Sequence, residues 1–225
     1  MLVVRCRPAD IARDAACVED LWRSDRSSFD RLAALFPPLA ATKSPAQIAG
    51  AIAYCHERLA AKLDAGAAKL DQLWDGIAHG LRAGLERLVP DHEIDVAVEV
   101  LAGVSLLAGR SASEGWCVIP FYVSRERQRR LLAHEILHFA HDEWRRLTGA
   151  SRGRGPYGQW WTGEVVVAVV LGLPEFEAIV GTADESSYVL PSEELAMLRS
   201  VARSWPDRRR TLAEIHTLAD TRQEQ

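Results

Sequence analysis

Residues 129–141 read Arg129-Arg130-Leu131-Leu132-Ala133-His134-Glu135-Ile136-Leu137-His138-Phe139-Ala140-His141, and the spacing within them points to both a structure and a chemistry. Residues four apart on an α-helix lie about 40° apart around the axis and one turn apart along it. On a helix, His134 and His138 therefore aim two imidazoles at one point with Glu135 beside them, while Leu132, Ile136 and Phe139 form the opposite, inward face. This is the spacing of the H-E-x-x-H arrangement, in which two histidines hold zinc and the glutamate acts as general base towards water. The alternative is an ordinary amphipathic helix that carries its histidines on a solvated side.

A catalytic zinc needs a third protein ligand and one open position. His141 is near in sequence, but on a continuous helix it lies about 10 Å along the axis from His134, too far to share an ion. Glu164 is the better candidate. It opens the apolar run Glu164-Val-Val-Val-Ala-Val-Val-Leu-Gly-Leu-Pro174, beyond a glycine-rich loop at 148–158, so a second helix can return its carboxylate to the histidines. The competing explanation is a helix-start carboxylate that merely complements the dipole. An oxyanion formed at such a site needs a further donor, and Tyr157, Tyr188 and His216 are the candidates, Tyr157 first because it falls in the loop between His138 and Glu164. Asp142, on the ligand helix, is the candidate to orient a ligating imidazole. His56, His79, His92 and His216 have no partner at metal spacing and read as surface or satisfied core residues.

Outward from this segment the pattern predicts an α+β protein, mainly helical, with a small mixed β-sheet packed on the histidine-bearing helix. Ser124 can cap that helix, which is expected from about Arg125 to Leu147. Before it, Ile94, Val96, Val98 and Val100 alternate with Asp95, Ala97 and Glu99 as in a strand, and 104–107 offers a second short one. Residues 109–115 read as turn chemistry, and Trp116–Val123 as a third strand whose Pro120 argues for an edge position. Residues 1–89 read as a helical N-terminal region. Ser44-Pro45 there looks like a cap followed by proline at the first helical position, and Gly66, Gly76, Gly80 and Gly84 are possible interruptions of the helix that follows. Residues 90–225 form the metal-site region, with Ser192 as a further cap and a charge-rich tail from Asp207.

The 225-residue chain carries 27 Lys+Arg against 31 Asp+Glu, a net charge of −4, and 48% hydrophobic residues. That balance provides a core and no basic field to recruit nucleic acid. Val165–Leu173, the longest apolar stretch, is far short of the roughly 20 residues that span a bilayer, so no membrane span is expected and the segment reads as a buried helix or strand. Arg5 and Arg7 leave no apolar signal segment at the start. Four scattered cysteines without a C-x-x-C pair suit reduced, buried thiols, and the expected compartment is cytoplasmic.

Across roughly Ile94 to Pro174 the chain resembles the gluzincins, zinc metallopeptidases with H-E-x-x-H on one helix and a glutamate ligand on a later one. Trp116-Cys-Val-Ile with Arg127-Gln-Arg-Arg-Leu-Leu-Ala-His-Glu is similar to the ImmA/IrrE-like peptidases, and a helical region preceding the strands is similar to the peptidase-MA-like zinc proteases. Ile136-Leu137 departs from the Leu-Gly common between the histidines. The resemblance implies a zincin-like fold, Zn2+ held by His134, His138 and Glu164, Glu135 as general base, and a protein or peptide substrate. It also implies that the strand Trp116–Val123 runs above the cleft and pairs with an extended substrate. The rival expectation is a zinc-binding regulatory module of the same fold that has lost turnover.

Overall fold

The structure, a computed structural model, describes residues 1–105, 109–150, 155–181, 191–206 and 210–223. The described residues are mostly helical with one small mixed four-stranded sheet, an α+β architecture. They fall into two compact units: Val4–Trp74 with Val98–Leu132, and Met1–Val3 with Asp75–Ala97 and Ala133–Gln225. No helix among them is long and apolar enough to cross a membrane.

The first unit holds most of the sheet. Its strands are β1 (Leu2–Pro8), β2 (Val96–Gly103), β3 (Gly109–Ser111) and β4 (Trp116–Pro120), in the order β1-β2-β4-β3. The expected edge position of Trp116–Val123 is wrong. β4 stops at Pro120 and lies inside the sheet, parallel to β2 and antiparallel to β3. Proline is tolerated there because strand N–H groups alternate in direction. The Phe121 N–H points to Gly103 O at 3.2 Å, so the hydrogen that Pro120 lacks would point the other way, past the last described pair with β3, Gly109 opposite Val118. With β2 on one side and β3 on the other, Trp116–Val118 offers no free edge to an extended substrate. Gly109–Ser111, expected to be turn, is strand β3, and only 112–115 turns, closing on Gly115 at φ +70°. The expected strand at 104–107 is not formed at 104–105, and 106–107 lie outside the described residues.

β1 was not anticipated. It is held by Glu99 of β2, which accepts from Arg7 at 3.3 and 3.0 Å and from Arg13 at 2.8 Å. Arg13 belongs to α1 (Ile11–Ser24), capped by Asp10, whose side chain accepts from the Arg13 N–H. The hydrogen bonds from Arg7 and Arg13 hold the Glu99 carboxyl below the usual glutamate value of 4.5. A depressed carboxylate stabilises the fold above its unfolded pKa and loses that contribution as pH falls through the folded value. Acid titration of thermal stability should therefore show a component below pH 4.5 that is missing from Glu99→Gln.

α2 (Arg26–Leu35) and a 3-10 turn (Pro37–Leu39) lead to α3 (Pro45–Leu88). Ser44 caps α3 as expected, its hydroxyl accepting from the Gln47 N–H at 3.4 Å. Val18, Leu21, Phe29, Leu32, Leu39, Ile48 and Ile52 form the apolar core here. The glycines of α3 do not interrupt it. Three of them mark close approaches instead: a Cβ would come within 2.7 Å of Phe121 at Gly66, 2.9 Å of Ile179 at Gly80 and 2.7 Å of the Phe176 ring at Gly84, whereas Gly76 faces open space. Gly84→Ala should cost about 1–3 kcal/mol through overpacking, and Gly76→Ala should be neutral or stabilising by up to about 1 kcal/mol. Denaturant midpoints of the two variants give the comparison.

The second unit is built around α5 (Gly155–Leu171), which packs against α6 (Pro174–Val180), α7 (Ser192–Ser204) and α8 (Leu212–Gln223). Val165, Val166, Val167, Val169 and Val170 are all buried. β-Branched residues are mediocre helix formers, and here burial on every side overrides propensity, as for any helix apolar all round. The carbonyls at the end of α5 are taken by α7: Arg199 donates to Ala168 O at 2.9 Å and Arg203 to Gly172 O at 2.6 Å. A Cβ on Gly172 would sit 2.6 Å from the Arg199 side chain, which explains the glycine. Ser192 is the first residue of α7 and not its cap; Pro191 holds that position with no side-chain capping bond. The charge-rich tail is largely helix α8, anchored by buried Leu212, Ile215 and Ala219.

Candidate metal centre

The ligand helix is α4 (Arg125–Thr148). Ser124 caps it as expected, its hydroxyl accepting from the Arg127 N–H at 3.2 Å. Ile136, Leu137, Phe139 and Ala140 are buried, and so are Glu135, His138 and His141. The histidines are thus not on a solvated face. His138 is 1% exposed and only His134, at 27%, reaches solvent.

α5 returns Glu164 to these two histidines. His134 Nε2 and His138 Nε2 are 2.9 Å apart, Glu164 Oε2 lies 3.3 Å from His134 Nε2, and Oε1 lies 3.1 Å from His138 Nε2. Among the described residues this is the one group of three or more His, Cys, Asp or Glu placed to hold a metal ion. Glu164 lies about halfway along α5 and not at its start, so dipole complementation does not account for it. Gly163 brings the α5 backbone against the His138 ring, where an added Cβ would touch Nδ1 at 3.6 Å.

The donor set fits a tetrahedral ion. Two ligands about 2.0–2.1 Å from zinc at the tetrahedral angle lie about 3.3 Å apart, close to the 2.9 Å between the two Nε2 atoms and to the distance from each to its nearer Glu164 oxygen. The chemistry agrees, since two imidazole lone pairs and a carboxylate converge only if a proton or a cation lies among them. Burial pushes the Glu164 carboxyl up, but hydrogen bonds from His134 and His138, reinforced by their charge when protonated, outweigh it and hold the group far below the usual carboxylate range. The carboxylate is therefore ionised and ready to neutralise a cation.

Glu135 follows His134 on α4, is buried, and makes no hydrogen bond or ion pair with the described residues. Asp142, the candidate for orienting a ligand imidazole, lies 3.5 Å from Arg145 Nη1. Of the three oxyanion-donor candidates, His216 is engaged elsewhere, its Nδ1 3.0 Å from His141 Nε2. The backbone of Tyr157 is in the first turn of α5 and not in a loop, while its side chain and all of Tyr188 lie outside the described residues. His56 is a satisfied core residue, 2.8 Å from the fully buried carboxylate of Asp14. The His141–His216 pairing was missed. His141 and Trp144 sit three apart on α4, which hints at a shared face, but nothing in the local pattern names a partner 75 residues away.

Comparison with protein-family models, with curated proteins and with solved structures finds no match for this chain.

Proposed function

We propose that the chain is a zinc-dependent metallopeptidase that hydrolyses peptide bonds in a protein or peptide substrate, with a zincin-like arrangement of ligands. The observation that carries the reading is the convergence of His134, His138 and Glu164 from two helices next to the buried carboxylate of Glu135, which has no partner among the described residues. Zinc, when bound, supplies Lewis acidity that polarises a carbonyl and makes water deprotonatable near neutral pH. Everything else falls to the chain. His134 and His138 present Nε2 as ligand atoms, so each carries its proton on Nδ1. Glu164 contributes one negative charge, leaving the His2Glu site a net positive charge when loaded. Glu135, with no partner to satisfy it, accepts the proton of the attacking water and delivers it to the departing amine nitrogen. His134 and Glu164 are partly exposed while His138 is sealed, so a substrate would reach the ligand set from the side of His134 and Glu164.

The test is hydrolysis of an unfolded protein by the zinc-loaded chain, read as new amino termini. Cleavage that stops on chelation and returns with zinc supports the reading. Retained zinc with no cleavage of any unfolded substrate would contradict it and leave a metal-binding regulatory module in its place.

A further inference from the structure

The second unit also contains a cavity of about 490 Å3 that the metal chemistry does not use. That volume is within the usual range for small-molecule sites, roughly 300–1,000 Å3. It lies between the segment after α3, the end of α4 and one face of α8. On the α4 side stands a stack of three rings. His141 lies nearly parallel to Trp144, with centroids 5.8 Å apart and 15° between planes, and His216 meets Trp144 edge-on at 5.2 Å. The hydrogen bond between His141 and His216 fixes the stack, because one ring must donate to the other and neither can turn freely.

The charged side chains of the lining have one sign, opposed only by the partial positive charge of the α8 N-terminus at Thr211 and Ala213. Asp91 and Asp220 are among the lining residues, and no lysine or arginine is. Two helices end there: Leu88 closes α3 and Thr148 closes α4, and both line the cavity. A helix C-terminus carries roughly half a negative charge on its unpaired carbonyls. The arginines in the last turn of α4 do not cancel this, since Arg145 lies 3.5 Å from Asp142 and Arg146 lies 2.7 Å from Glu143. An aromatic wall, two carboxylates and two helix C-termini favour a cation.

We propose that this cavity binds a small organic cation, a flat body bearing an amidinium, guanidinium or ammonium group, with Trp144 and His216 as its aromatic wall and Asp91 and Asp220 as the charge partners. The site is independent of the metal centre and stands whether or not the chain hydrolyses peptides. Benzamidine is a suitable probe, with neutral benzamide as its near-isosteric control, at pH 8.

Titrations of the whole chain followed by heteronuclear NMR should show saturable benzamidine binding centred on the Trp144 indole N–H and His216. Benzamide should bind at least about tenfold more weakly, the loss of one charge-assisted contact. Asp91→Asn with Asp220→Asn should abolish the preference for the cation. Equal affinity for the two probes, no saturation by benzamidine at about 10 mM (which would mean an affinity too weak for a built site), or shifts centred away from Trp144 would overturn the proposal. The shift map on the unaltered chain keeps it testable if the double variant fails to fold.

Discussion

Glu135→Gln is expected to lower peptide hydrolysis by about a hundredfold or more while leaving bound zinc unchanged. General acid–base catalysis by a positioned side chain contributes typically 10²–10⁴-fold, and the amide keeps the size of glutamate without its basicity. Glu135 is buried on α4 and makes no hydrogen bond or ion pair with the described residues. Its replacement therefore breaks no hydrogen bond or ion pair with the described residues, and thermal stability should move by less than about 1 kcal/mol, as for a substitution that disrupts no interaction network. The contrast identifies the role: lost turnover with intact metal and intact stability. Equal rates for the wild type and Glu135→Gln would show that this carboxylate is not the base.

The largest stability effect is expected at Asp14, away from the metal chemistry. Its carboxylate is fully buried in the first unit and accepts from the Val104 N–H at 2.7 Å, from the Ser105 N–H at 3.1 Å and from His56 at 2.8 Å. It thereby fixes the chain as it leaves β2. Gly103 is glycine for the same reason, since a Cβ there would lie 2.8 Å from Asp14 Oδ1 and 2.4 Å from Val118. Tyr122 closes the group, donating to Ser105 O at 3.2 Å, with its phenol pushed well above the usual range by burial and by the Asp14 charge. Asp14→Ala orphans two buried N–H groups and strands His56, at a cost of about 3–5 kcal/mol. Asp14→Asn keeps one acceptor oxygen but turns an NH2 towards donors, and should cost about 1–3 kcal/mol. Denaturant unfolding that placed Asp14→Ala within about 0.5 kcal/mol of the wild type, the range of ordinary surface substitutions, would contradict this reading of the network.

How much of this was legible beforehand depends on the range of the interaction. Ser124 and Ser44 are local signals, each a hydroxyl answering an N–H three residues on, and both caps are where the sequence places them. His134 and His138 are equally local, because the period of one helix aligns them. Glu164 was reachable through chemistry: a carboxylate opening an apolar run needs a partner, and the two imidazoles supply it. The strand order was not reachable. Pro120 argues for an edge only if its missing hydrogen faces a neighbour, and that depends on where β3 stops. The glycines of α3 failed in the same way. As local features they signal breaks, yet Gly66, Gly80 and Gly84 answer to Phe121, Ile179 and Phe176, residues far along the chain. The Asp14–His56 and His141–His216 pairs join helices 42 and 75 residues apart in sequence, and no periodicity encodes such pairings.

Metal content bears most directly on the centre formed by α4 and α5. Chain prepared in the presence of zinc and then freed of excess should retain about one zinc per molecule, the content of a single tight site. Glu164→Ala should bind it much more weakly, and the double replacement of His134 and His138 by alanine should retain none. Less than about half a zinc in the wild type, or full zinc affinity in Glu164→Ala, would contradict the assignment of His134, His138 and Glu164 as the ligands of one ion.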